Sequence, residues 1–263
     1  MVVLLLAACR TVLLTDATPT EGDFGEQWDA LLKRAVTEEG YVDYDLIEAE
    51  RDVLDRYIAF IAKEKPSLPV SMIRHAFWLN AYNALVIFQV LERDRPDSVM
   101  DVRGWVPKAG SGFFVETAFT VDGNELSLWE IEHERVRMRI LEPRDHAALN
   151  CASRSCPPMR RGIYTGKGLK IQLNEQMTRW VNDPERGVYI EDGVLWANPI
   201  FSWYQHDFEF WTAGLSLCAF TARFAHQPLR SEILSLNREG CPTAFYEYDW
   251  RLNDAKAIAQ DAE

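Results

Sequence analysis

The stretch SMIRHAFWLNAYNALVIFQVLERD, beginning at Ser71, constrains this chain more than any other. Its residues follow helical spacing, but they are apolar on nearly every side, and a helix of that kind must be wrapped by other elements. Ser71 stands where an N-cap hydroxyl belongs. The chain is therefore expected to bury this helix at its centre and to cover it with what remains.

The covering is legible as periodicity. Upstream, FGEQWDALLKRAVTE and DYDLIEAERDVLDRYIAFIAK carry apolar residues three and four apart, as amphipathic helices do, and Pro66 and Pro69 close the second of them. Downstream, GFFVETAFTVDGNELSL alternates like a strand about an Asp-Gly turn, and LSLWEIEHERVRMRIL returns to helical spacing. HAALNC reads as a short apolar strand, GLKIQLNEQMTRWVND as a helix and GVYIEDGVLWANPIFSWY as a hairpin around Asp192-Gly193. FEFWTAGLSLCAFTARFA reads as a late helix and TAFYEYDWRLND as a last short strand. Helices and strands fall in separate groups. The expected fold class is α+β, a single globular domain over residues 24–254, with an antiparallel sheet packed against several helices around the buried central one. Residues 255–263 are expected to be a disordered tail.

Charge narrows the partners. Twenty-eight basic against 40 acidic residues give a formal net charge of −12, which repels phosphate backbones and anionic headgroups, so no nucleic-acid partner is expected. The opening run MVVLLLAAC is too short to span a bilayer. It has the character of a lipobox, with Leu6-Ala7-Ala8 before a lipidated Cys9, although no basic segment precedes it. On that reading residues 1–23 are a signal remnant and tether, the protein is a periplasm-facing lipoprotein of the cell envelope, and its sole membrane attachment is the lipid at Cys9. A frayed apolar terminus is the other reading.

HAALNCASRSCPPM, His146 to Met159, concentrates the chemistry. On an extended strand His146 and Asn150 share one face and Cys151 takes the other, so a Cys151–His146 pair requires the strand to end or bend. Three readings stay open. Cys151 and Cys156 form a disulfide around a four-residue turn; or they bind a metal completed by His133 or His146; or one of them is a nucleophile beside a base. If Cys9 is lipidated, Cys151, Cys156, Cys218 and Cys241 form an even set with three pairings.

Five blocks, AFWLNAYNAL (76–85), LSLWEIEHERVR (126–137), HAALNCASRSCPP (146–158), FSWYQHDF (201–208) and YDWRLN (248–253), resemble in order and character the family called domain of unknown function 547. The resemblance runs from about residue 40 to 254. It implies an envelope or secreted protein and supplies candidate residues without a reaction. One departure from the cysteine-protease and transglutaminase-like folds is plain: no cysteine lies between Ser71 and Asp94.

Within those blocks, Asn80 and Asn83 are three apart on the central helix and need hydrogen-bond partners, either in neighbouring backbone or in a pocket. His133 lies between Glu132 and Glu134, with Glu130 one turn earlier as a carboxylate able to orient it; the alternative is a solvated charged face. Asp207 is a helix N-cap or an orienting acid. Trp203 belongs to the aromatic SWYQHDF block. Two functions remain. One is a thiol-dependent hydrolase or acyl transferase on peptide or amide bonds, with Cys151 (or Cys156) as nucleophile, His146 as base, Asn150 or Asp207 as orienting group, and Asn80, Asn83, Glu132, His133 and Trp203 in binding. The other is a non-catalytic envelope lipoprotein that binds a protein or glycan partner. Neither calls for a cofactor or a resident metal.

Overall fold

The computed structural model describes residues 11–13, 24–64, 71–211 and 216–261. Strand β1 (Thr11–Leu13) is followed by helices α1 (Phe24–Ala35), α2 (Tyr44–Ala49), α3 (Arg51–Lys63) and α4 (Met72–Glu92). After a short helix α5 (Ser111–Phe114) come strands β2 (Thr117–Val121) and β3 (Asn124–Ser127). Helix α6 (Leu128–Glu130) then runs into a π-helical stretch, Ile131–Arg137, and on into α7 (Met138–Ile140). A 3-10 turn, Pro143–Ala147, and a loop lead to α8 (Leu169–Val181) and the hairpin β4 (Val188–Glu191) and β5 (Val194–Ala197). The remainder is α9 (Ile200–Trp203), α10 (Gln205–Trp211), α11 (Leu217–Thr221), α12 (Leu229–Arg238), β6 (Thr243–Phe245) and α13 (Ala255–Asp261).

Helix α4 is the buried centre that its sequence requires. Ser71 caps it by accepting from the Arg74 amide, and every residue from Trp78 to Leu91 is buried. Helix α3 packs on it and on α1, and the π-helical stretch lies against it from the other part of the chain. Aromatic contacts fix the fit: Phe88 meets Phe119 of β2 edge-on, with centroids 6.5 Å apart. Burying a side chain of that size contributes roughly 1.5–3 kcal/mol.

The fold is α+β, with small sheets on helices. There are two sheets among the described residues, each of three strands. Each holds an antiparallel hairpin (β2–β3 and β4–β5) and one parallel neighbour, β1 beside β2 and β6 beside β5. Both hairpins turn on Asp-Gly pairs whose residues all have φ between +51° and +74°. That is the two-residue geometry for which Asp-Gly is suited.

Apolar side chains gather in two cores. The larger surrounds α4; the second is built on Trp180, Phe201, Phe208 and Phe220, with Trp180 stacked on Phe201 at 4.4 Å. A disulfide, Cys218–Cys241, ties α11 to the segment before β6. Trp250 packs against both cores. The loop after the 3-10 turn runs along their junction: Ala147 belongs to the second core, Ala148, Leu149 and Ala152 to the first, and Cys151 packs against the second.

Several expectations are corrected. HAALNC is not a strand: Pro143 and the Glu142 carboxylate, which accepts from the Arg144 amide, start a 3-10 turn that ends at Ala147. Residues 248–253 are not a strand either and make only isolated bridges, Arg251 with Ser98 and Leu252 with Ser153. Ala255–Asp261 of the expected tail is helical, and Thr11–Leu13 of the expected tether pairs with β2. No described helix is long and apolar enough to cross a membrane. Cys9 lies outside the described residues.

Candidate active site

The junction of the two cores opens into a cleft of about 330 Å³, lined by Cys151, Cys156, His146, His133, Glu132 and a ring of aromatic side chains that includes Trp129, Trp203, Tyr204 and Tyr248. With no strand between them, His146 and Cys151 are not held on opposite faces; both reach this cleft.

A chain of buried amides presents Cys151. Asn83 of α4 donates to the Ala148 carbonyl and accepts from the Asn150 amide. Asn150 donates to the Pro157 carbonyl, and its oxygen accepts from the Ala152 amide and from Asn253. Asn253 in turn accepts from Tyr44. Every polar atom of the Asn150 amide group is thus spent on holding the loop, so it does not orient His146. Asn80 is likewise committed, donating to and accepting from the backbone of Tyr164. Neither Asn80 nor Asn83 lines the cleft. Ala152, next to the cysteine, is left-handed at φ +63°, a conformation that costs a residue with a Cβ roughly 1–2 kcal/mol. The hydrogen bond from its amide to Asn150 holds it there.

The two sulfurs are 3.0 Å apart and are not bonded, so the expected Cys151–Cys156 disulfide is not what this structure contains; its bridge joins Cys218 to Cys241. Cys151 is partly exposed and Cys156 is buried. The Cys151 amide donates to Cys156 Sγ, while Ser153 Oγ and Tyr248 Oη stand 3.1 and 3.3 Å from Cys151 Sγ. A hydrogen bond from Cys156 to the ionised sulfur, joined by those from Ser153 and Tyr248, outweighs burial and brings the Cys151 thiol down to about 7. Burial pushes Cys156 the other way, well above the ordinary thiol range. One sulfur is therefore ready to ionise near neutrality and its neighbour keeps its proton.

The histidine is held separately. His146 Nε2 is 2.8 Å from Asp207 Oδ2, which also accepts from Arg137 Nε at 2.6 Å. Burial raises Asp207, but the bonds from His146 and Arg137 overcome it and keep the carboxyl well below its usual range. An ionised Asp207 only accepts, so Nε2 carries a proton and the neutral ring keeps its lone pair on Nδ1. Asp207, in the first turn of α10, is thus in hydrogen-bond contact with the imidazole. Tyr204 packs on the imidazole at 4.3 Å, and the Arg137 guanidinium lies over the Tyr204 ring at 4.3 Å from its centroid.

Glu132 and His133 come from the π-helical stretch, a form of helix that often marks functional positions. Glu132 accepts from Tyr204 at 2.7 Å and from Tyr82 at 3.5 Å. His133 Nδ1 donates to the Trp129 carbonyl, and the ring stacks on Trp129 at 4.4 Å; burial lowers its pKa. Glu130, the carboxylate expected to orient His133, instead forms a capping box with Ser127. Trp203 is half exposed at the rim, stacked on Trp250 at 5.6 Å. Among the described residues no three His, Cys, Asp or Glu side chains are grouped to hold a metal ion, so a metal reading of the cysteine pair lacks further ligands.

Sequence reasoning passed over His75, Arg137, Ser153, Tyr204 and Tyr248. His75 of α4 bonds the buried Asp145 at 2.7 Å and so fixes the turn that carries His146. Arg137, Ser153, Tyr204 and Tyr248 all lie inside the quoted blocks, which was the available signal.

A partly exposed thiol of lowered pKa and a carboxylate-held imidazole thus share one aromatic cleft on an α+β scaffold. Residues 71–181 match the model of the family described as Protein of unknown function, DUF547, which supports membership of that family over this part of the chain. The match is narrower than the resemblance from residue 40 to 254: it holds Glu132, His133, His146, Cys151 and Cys156 and stops before Asp207 and Tyr248. No curated protein and no solved structure matches the chain.

Proposed function

We propose that the cleft is the active site of a thiol-dependent hydrolase or acyl transferase acting on carbonyl compounds such as amides or thioesters. The observation that carries this reading is the pairing, in one cleft, of a Cys151 thiol lowered to about 7 with an imidazole held by Asp207. The Cys151 thiolate attacks the carbonyl carbon and a carbon–sulfur bond forms. The leaving nitrogen or sulfur departs with a proton, given by His146 once its Nδ1 has taken up, through water, the proton that Cys151 released. Water or an acceptor nucleophile, deprotonated by the now neutral imidazole, then releases the acyl group from sulfur. Cys151 owes its ionisation to Cys156, Ser153 and Tyr248 rather than to an imidazole contact, so His146 acts on the leaving group and on the incoming nucleophile. The aromatic walls suit an apolar acyl portion.

An envelope location goes with this reading. The apolar run before Cys9 and the Cys218–Cys241 bridge both favour an exported protein in an oxidising compartment. The test is labelling with an acylating or alkylating electrophile at neutral pH, with turnover measured on a panel of amides and thioesters. Label on Cys151 and turnover lost in Cys151→Ala are expected, with a fall of about 10²–10⁴-fold in His146→Ala. An unlabelled Cys151, or turnover that survives its removal, overturns the proposal.

A further inference from the structure

The mechanism above uses Cys156 as a hydrogen-bond donor, but nothing in hydrolysis requires that donor to be a second thiol. Its placement is specific. The sulfurs lie 3.0 Å apart, and a bonded pair sits at about 2.05 Å, so closing the gap needs a shift of about 1 Å. The loop between them is a tight turn in which the Cys156 amide donates to the Ser153 carbonyl, and the Cys151 amide aims at Cys156 Sγ from 2.9 Å. Both sulfurs border the cleft, but Cys151 is partly exposed and Cys156 only 2 % exposed, so a reagent entering the cleft meets the first sulfur before the second.

We infer that Cys151 and Cys156 are a working redox pair: Cys151 reduces a hydroperoxide admitted to the cleft, and Cys156 resolves the product by closing a Cys151–Cys156 disulfide that switches the nucleophile off. In the first step the Cys151 thiolate attacks the terminal peroxide oxygen. A sulfur–oxygen bond forms, the O–O bond breaks, and the alkoxide or hydroxide leaves with the electron pair and takes a proton from solvent. Cys151 is then a sulfenic acid, two electrons oxidised. In the second step the Cys156 sulfur attacks that sulfur, and hydroxide leaves carrying the Cys156 proton as water. The sum is two thiols and a hydroperoxide giving one disulfide, one alcohol (or water) and one water. An external dithiol returns the pair to thiols by exchange. The hydroxyls of Ser153 and Tyr248, 3.1 and 3.3 Å from Cys151 Sγ and 2.8 Å from each other, are placed to donate to the developing negative charge. The low pKa of Cys151 supplies the attacking thiolate at neutral pH, and the same reactivity exposes such a sulfur to oxidation.

The inference shares with the proposed function the premise that Cys151 is the reactive sulfur, and it does not depend on acyl transfer. The full chain, reduced with dithiothreitol and freed of it, is treated with an equimolar amount of hydrogen peroxide, labelled with a maleimide and digested for mass spectrometry. Cys151 and Cys156 are expected to lose their label together, and dithiothreitol should restore both. In Cys156→Ser the reaction should stop at a Cys151 sulfenic acid trapped by dimedone. A Cys151 that keeps its label overturns the inference, as does one that passes to sulfinic acid in the unaltered protein while Cys156 stays a free thiol. Closure without turnover of any acyl substrate still supports the pair and tells against the hydrolase; turnover without closure does the reverse.

Discussion

At Cys151, and at Asp207, which holds His146, ionisation is favoured by local causes that a substitution can remove. For Cys151 the largest is the hydrogen bond from Cys156. In Cys156→Ala the midpoint of the pH profile for Cys151 alkylation should move from about 7 upward, toward the ordinary thiol value of about 8.5. Stopped-time labelling with iodoacetamide across pH 5–10, a range of about five units, reads it directly. For Asp207 the sign runs the other way. Its folded pKa lies below the unfolded value of about 3.9, so the stability it contributes is fully present above that pH and is lost as pH falls through the folded value. Asp207→Asn should therefore be less stable than the native protein at neutral pH, and the difference should shrink below about pH 4. Urea unfolding at a series of pH values measures this, and a constant difference would show that the carboxylate's charge is not what stabilises.

At the scale of elements, α4 does two jobs: it fills the larger core and it pins the segment that carries the site. His75 at its beginning meets Asp145, Asn80 takes the Tyr164 backbone, and Asn83 takes Ala148 and Asn150. Removing the imidazole in His75→Ala leaves the buried Asp145 carboxyl without that hydrogen-bond partner, which should cost about 1–3 kcal/mol in urea unfolding. The helix itself was legible because its signals agree: the N-cap serine, the spacing and the apolar content all point to one answer. The two Asp-Gly hairpins were legible for a similar reason, since their turn geometry is set by the residues within it. HAALNC was not, because six residues of mixed polarity have no decisive period, and the proline and glutamate that start a 3-10 turn there precede it. The same error placed His146 and Cys151 on opposite faces. The Asp207–His146 contact spans 61 residues and the Tyr248–Cys151 contact 97, distances over which side-chain chemistry gives a candidate but not a partner.

On the scale of the whole molecule, the cleft lies where two cores meet, and Trp250 is packed on both. Such a joint should be what couples their unfolding. Trp250→Ala is expected to broaden the urea transition or divide it into two steps, with a lower apparent m-value, while each core keeps its own secondary structure by circular dichroism. A single transition of unchanged steepness would mean that the cores are coupled elsewhere. The net charge of −12 acts at this scale too, favouring uncharged or cationic partners over polyanions.

The amide chain from Asn83 through Asn150 to Asn253, together with the hydroxyl of Tyr248 beside the sulfur, sets an order in time as well as in space. During synthesis Cys151 emerges nearly a hundred residues before Tyr248, whose hydroxyl is 97 positions downstream. Until that segment arrives and docks, the loop lacks one of its anchors and the thiol lacks one of its donors. The nascent chain therefore carries a less activated cysteine through the stage when it is least protected, and full reactivity comes with the closing of the fold.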